Sequence, residues 1–196
     1  MNTFDGLKPY LDDLASASPA PGGGAAAAVT LAQGMALLSM VCNLTIGKKR
    51  FADVEQRIQE ILQQITEMRT KALTEAEADI EAFNGVMAAY KLTAETDEQK
   101  AVKKEQIAAA TREAAQPPFR MMSLCVEAMP LADELEKIGN PNVVSDVYVG
   151  RHLLIAGYHS SKENVVINLN GLANDDPFAT DMRAKMAELD AKTGLS

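Results

Sequence analysis

From Leu14 to Gly47 the chain carries no charged residue and no histidine, and then Lys48, Lys49 and Arg50 follow in a row. Within that stretch lies Pro19-Ala20-Pro21-Gly22-Gly23-Gly24, and after it Ala25 through Ile46 read as one uninterrupted helix. Proline restricts the backbone and glycine frees it, so no helix passes through residues 19–24. A helix that is apolar all round belongs in the middle of a helical domain or in a membrane. At about 33 Å, residues 25–46 are long enough to cross a bilayer. Against a span, the segment is built from Ala, Gly and Ser, with Gln33 and Asn43 inside it. Its few large aliphatic residues give a weak insertion energy, so it is expected to be the buried central helix of a bundle.

The rest of the chain fits that reading. Residues 4–16 carry Phe4, Leu7, Leu11 and Leu14 on one side of a short helix. Residues 52–90 contain no Pro and no Gly before Gly85, and three- and four-residue steps link Ile58, Leu62, Ile65, Met68, Ala72, Ala76, Phe83, Val86 and Tyr90. The spacing predicts a single long helix. Thr96-Asp97-Glu98-Gln99 has the form of a capping box that opens a helix running to about Gln116. Pro117-Pro118 interrupts it, and a further helix covers about 118–137 and stops at Gly139. Asn140-Pro141-Asn142 is turn chemistry. Helices are expected over 145–161, over 164–172 after a break, and from Asp175-Asp176-Pro177 to near Gly194. The fold class is all-α, one domain over 1–196, with six to eight helices, one of them buried and central and one long.

Bulk properties narrow the function. A net charge of −8 argues against a nucleic-acid binder. Cys42 and Cys125 stand alone and read as small buried hydrophobes, with nothing to suggest an oxidising compartment. Asp5, Lys8, Asp12 and Asp13 precede any apolar run, the reverse of a signal peptide, so a cytoplasmic protein is expected. His152 and His159 lie two helical turns apart, about 10 Å, too far to share a metal. The triple glycine follows no strand and precedes no Gly-Lys-Ser/Thr, so it is not a nucleotide loop.

Three places could hold chemistry. Asp79 falls on the apolar stripe of the long helix, whereas Glu75, Glu77 and Glu81 fall elsewhere. A carboxylate facing a core is costly unless paired, and burial raises its pKa, which suits a general acid or base; a structural ion pair is the bland alternative. Asn140, Asn142, Ser145 and Asp146 gather at a helix N-terminus, as a ligand site or simply as a turn and cap. Lys48, Lys49 and Arg50 either complement a helix dipole or bind an anionic ligand.

Pro19-Ala-Pro-Gly-Gly-Gly24, Met40-Val-Cys-Asn-Leu-Thr-Ile-Gly-Lys48, Asp79-x-x-x-Phe83, Gly139-Asn-x-Asn142, Ser145-Asp146 and Asn164-Val-Val-Ile-Asn168 occur in this order. Together they resemble the cyclodeaminase/cyclohydrolase family of folate enzymes, over about residues 5–175. The resemblance implies an all-α homodimer that binds a tetrahydrofolate in a groove, without a metal or any other cofactor, and without a nucleic-acid or membrane partner. It implies Asp79 and Asp146 as catalytic residues, and Gly22, Gly23, Gly24, Asn43, Lys48, Lys49, Asn140, Asn142, Ser145 and Asn164 as substrate contacts. Lys48 and Lys49 would pair with the glutamate tail, and Asp146 or Asn142 would hydrogen-bond the pterin. The sequence departs from the family pattern at Ala25, where serine is frequent, and at Lys103 or Lys104, where an arginine is expected. Two reactions follow: hydrolysis of the 5,10-methenyl bridge to 10-formyltetrahydrofolate, or cyclisation of 5-formiminotetrahydrofolate with loss of ammonia. With no formiminotransferase portion attached, the hydrolase is the first expectation, and a non-catalytic folate-binding helical protein is a further alternative.

Overall fold

Packing around the uncharged helix organises the protein. The computed structural model describes residues 4–194 and contains, among them, seven α-helices and two 3-10 segments. They are α1 (Leu7–Leu14), α2 (Gly23–Asn43), α3 (Glu55–Tyr90), α4 (Asp97–Ala114), α5 (Gln116–Ile138), α6 (Val144–Asn170) and α7 (Pro177–Thr193). The 3-10 segments are Lys49–Val54 and Pro141–Val143. This is an all-α array with a buried central helix and one long helix.

Twelve residues of α2 are buried, among them Leu31, Met35, Leu38 and Val41. By length and composition α2 could cross a membrane, but it is the helix around which the core is packed, chiefly between α3 and α6. Small residues allow the α2–α6 approach. A methyl group on Gly34 would stand 2.8 Å from the Gly150 carbonyl oxygen, and one on Gly157 would stand 2.5 Å from Leu31 Cγ. Backbones this close leave no room for a Cβ.

The capping box at Thr96 forms in both directions, with Gln99 N–H donating to Thr96 Oγ1 and the Gln99 side chain accepting from Thr96 N–H. Other boundaries move. The helix expected through Ile46 ends at Asn43, and Gly47, at φ +75°, turns the chain in a left-handed conformation that favours glycine. The interruption expected at Pro117-Pro118 is present and falls two residues earlier: α4 ends at Ala114, and α5 opens at Gln116 with both prolines in its first turn, where a missing N–H costs nothing. The break expected near residue 162 is absent, because Lys162, Glu163 and Asn164 are compatible with a helix and Asn164 Nδ2 donates to the Ser160 carbonyl within it. Asp176 caps α7 by accepting from the Phe178 and Ala179 N–H groups. The α6–α7 contact is fixed by Tyr158 and Lys162, which both donate to Asp190.

The candidate active site

On α3 the apolar stripe is fully packed from Ile58 through Ile61 and Ile65 to Ala72 and then emerges, so that Ala76, Asp79, Phe83 and Val86 are only partly covered. Where packing opens, a cavity of about 300 Å³ remains between α3, the N-terminus of α2, the end of α4 and the second half of α6. Gly22, Gly23 and Gly24 form one wall, Asp79 and Phe83 another, and Asn164, Ile167 and Asn168 a third. No side chain caps the N-terminus of α2, so its first N–H groups stay available beside the cavity. Gly24 lies directly against the Asp79 carboxylate, and a methyl group there would overlap it.

Asp79 has no hydrogen-bond or ion-pair partner among the described residues. One turn earlier on α3, Glu75 takes the Arg120 guanidinium in a two-pronged pair at 2.7 and 2.8 Å. The structural ion pair that Asp79 could have made is therefore made by Glu75. Burial pushes the Asp79 carboxyl above the usual carboxylate range. Two amides face the same space with unspent acceptors. Asn168 uses Nδ2 on the Ala114 and Asn164 carbonyls, and Asn164 uses Nδ2 on the Ser160 carbonyl. Neither Oδ1 has a partner among the described residues. With an open helix N-terminus, the cavity offers three acceptors, a few N–H donors and an apolar lining from Phe83, Val86 and Ile167. That inventory suits a flat, donor-rich heterocycle bearing a group that exchanges a proton.

Asp79, Gly22–Gly24 and Asn164 thus come together. The other expected residues gather at the opposite end of α2, about 30 Å away by the rise of its 21 residues. There the Asn140 N–H donates to Thr45 Oγ1, Asn140 Nδ2 donates to the Leu44 carbonyl, and Asn140 Oδ1 accepts from the Asn142 N–H. Asn140 is buried and fully used, while Asn43, Lys48, Lys49, Asn142 and Ser145 are exposed. Asp146 lies in the first turn of α6, where a carboxylate complements the helix dipole. Asn168 was outside the expected site. Its signal in the sequence is the four-residue step from Asn164, which places both amides on one face of α6.

Two larger grooves exist, one between α3 and α4 and one between α4 and the α6–α7 connection. Neither holds an unpaired titratable side chain that is even half-buried, as Asp79 is, which is why the smaller cavity is the candidate site. Among the described residues no group of three His, Cys, Asp or Glu side chains is placed to hold a metal ion.

The site is thus a half-buried carboxylate, unpaired among the described residues, set against a glycine wall in an all-helical domain. Residues 6–188 match the sequence signature described as Formiminotransferase-cyclodeaminase, and the chain belongs to that family of one-carbon tetrahydrofolate enzymes. The chain is 40% identical to the methenyltetrahydrofolate cyclohydrolase of Methylorubrum extorquens, over 96% of this chain and 90% of the relative. It is 30% identical to the formimidoyltransferase-cyclodeaminase of Sus scrofa over 95% of its own length, but spans only 35% of that protein. The crystal structure of formiminotetrahydrofolate cyclodeaminase from Thermotoga maritima superposes with a TM-score of 0.86 at 32% identity, over 96% of this chain and 89% of that one.

Proposed function

We propose that this chain acts on the one-carbon unit carried at N5 of a tetrahydrofolate, with the pterin in the Asp79 cavity and Asp79 moving the proton. The observation that carries the reading is the half-buried Asp79, unpaired among the described residues, against Gly24 and facing the free Oδ1 acceptors of Asn164 and Asn168. Tetrahydropterin presents N–H donors along one edge, which those acceptors complement.

The cyclodeaminase reaction is the first reading, because the matched family and the Thermotoga maritima fold neighbour carry that name. N10 adds to the carbon of the formimino group, which enters protonated as an amidinium; Asp79 as carboxylate takes the N10 proton, and the same group returns it to the amino group, which departs as ammonia. The 5,10-methenyl bridge is left. A carboxyl held above its ordinary range suits both halves of that transfer. The cyclohydrolase is the second reading, favoured by the 40% identical relative of nearly equal length. In that case water adds to the methenyl carbon, Asp79 takes one of its protons and passes it to N5 as the N5–C bond breaks, and the remaining hydroxyl proton leaves to solvent as the formyl C=O forms.

Asp146, Asn142 and Lys48 enter this chemistry only through a second copy. The implied homodimer would set the Asn140–Asp146 end of one chain against the Asp79 cavity of the other. Mixing Asp79→Asn with Asp146→Asn chains, each inactive alone, should then restore about a quarter of the activity, since half of the dimers hold one intact site of two. No recovery would confine the site to one chain.

The deciding assay follows methenyl absorbance with each substrate. Rising absorbance from 5-formiminotetrahydrofolate identifies the deaminase, and accelerated decay of methenyltetrahydrofolate identifies the hydrolase. Tight binding without either reaction would support a non-catalytic folate-binding protein.

A further inference from the structure

A cavity of about 300 Å³ holds a pterin head but not the p-aminobenzoyl-glutamate that follows it, and a second groove lies beyond the neighbouring α4–α6 contact. The groove between α4 and the α6–α7 connection encloses about 600 Å³. It shares a stripe with the Asp79 cavity on both helices. On α4, Ala114 of the cavity is followed at helical steps of seven, four and three by Ile107, Lys103 and Lys100 of the groove. On α6, Asn164 and Asn168 of the cavity are followed three residues later by Gly171 of the groove. The two helices meet between cavity and groove, where Asn168 Nδ2 donates to the Ala114 carbonyl and the Thr111 methyl lies 3.5 Å from the Cβ position of Gly171, so a ligand spanning both would cross this contact on the exposed side of Gly171.

The groove changes character along its length. Ile107, Ala108 and Leu172 make it apolar next to the cavity, and Lys100, Lys103 and Lys104 make it cationic further out. Its two acids, Glu105 and Asp176, are both held by Arg112, at 3.1 and 2.9 Å. Lys103 donates to the Leu92 carbonyl, Lys100 pairs only with the almost fully exposed Asp97, and Lys104 has no partner among the described residues. Three lysines that neither of the groove's acids pairs are a local positive field on a chain of net charge −8. From Ala114 to Lys104 the distance along α4 is about 15 Å.

We propose that this groove receives the tail of the folate, the p-aminobenzoyl ring on Ile107, Ala108 and Leu172 and the glutamate carboxylates on Lys104, Lys103 and Lys100. The proposal rests on the pterin occupying the Asp79 cavity. It moves the tail from Lys48 and Lys49, where the family resemblance set it, to the cations that lie on the same side as Asp79.

The test is calorimetric titration with 5-formyltetrahydrofolate as the monoglutamate and as the triglutamate. The wild-type protein should bind the triglutamate more tightly. Lys104→Glu should weaken the triglutamate about five- to tenfold, as expected when an attraction becomes a repulsion, and the monoglutamate less. Lys104→Arg should keep the preference, Lys100→Glu should reproduce part of the loss, and Lys71→Glu, an exposed charge change on α3, should leave both ligands alone. An unchanged tail-length preference in Lys104→Glu and Lys100→Glu overturns the proposal, and so does a loss that follows Lys48→Glu or Lys49→Glu instead. In either case the pterin assignment stands if Asp79 variants still alter binding. Absence of binding for both ligands in the wild-type protein would remove the folate reading and the tail site together.

Discussion

The two ends of α2 are both rich in polar side chains, and they differ in what those side chains have left to offer. At the Asn140 end the amide gives its hydrogen to Leu44 and its oxygen to Asn142, and its backbone N–H goes to Thr45. At the Gly24 end, among the described residues, Asp79 has no partner and the Oδ1 atoms of Asn164 and Asn168 remain free. A buried polar group without a partner costs stability, so a chain keeps one only where something else uses it. Unspent hydrogen-bonding capacity, rather than polarity, separates a site from a strut.

The largest effect that tests this contrast is Asp79→Asn. It keeps the shape and removes the proton carrier, so turnover should fall about 10³-fold with the circular dichroism unchanged. Turnover within tenfold of wild type would take the chemistry away from that end. Gly24→Ala should come next. Its methyl displaces a flexible carboxylate rather than backbone, so kcat/KM should fall by about 100-fold, an order expected for a misplaced catalytic group, while the melting temperature moves little. A mid-helix glycine should behave in the opposite way. Gly34→Ala drives a methyl onto the Gly150 carbonyl, and a shift in denaturant midpoint equivalent to about 1–3 kcal/mol is expected. Asn140→Ala should cost about 1–3 kcal/mol, because the Leu44 carbonyl and Asn142 N–H lose their partner, and a thermal melt reads it.

The smallest effect is one of pH. Burial raises the Asp79 pKa in the folded chain, so in the window above the unfolded value the native state binds more protons than the unfolded state. Stability from this group is therefore lost as pH rises through the folded pKa. Asp79→Asn should melt at a higher temperature than wild type at pH 7, and the difference should vanish below about pH 4, where both states of the wild type are protonated. An equal or lower melting temperature at pH 7 would mean that the carboxylate is not strained where it sits.

Periodicity exposed the helices well. The stripe from Ile58 to Tyr90, the Thr96 box and the Gly139 stop all lie close to their observed positions, because each depends on spacing within a few residues. Asp79 was legible for the same reason. What spacing cannot carry is which end of one helix faces which end of another. Asn164 and the glycines are more than 130 residues apart, and only the antiparallel α2–α6 packing brings them together. The same packing puts Lys48 and Asp146 at the far end, which motif order along the chain had hidden. The continuous α6 was missed because Ser160, Ser161 and Asn164 are weak helix formers that tertiary contacts and the Asn164 to Ser160 hydrogen bond override.

The close seating of α2 against Gly150 and Gly157 also has a kinetic consequence. Amides of the Leu31–Leu38 turns should exchange with solvent only when the whole domain opens, because their helix is enclosed by three others. The glycine wall at Gly23 and Gly24 is the open first turn of that rod, so it is anchored to the most protected part of the protein while its own N–H groups stay available. Room for a ligand to enter must then come from the outer α3–α4 hairpin, where Tyr90, Leu92 and Val102 are exposed and hold little in place. In deuterium exchange, entry of a ligand should therefore slow the hairpin and the first-turn amides of α2, and leave the Leu31–Leu38 turns unchanged.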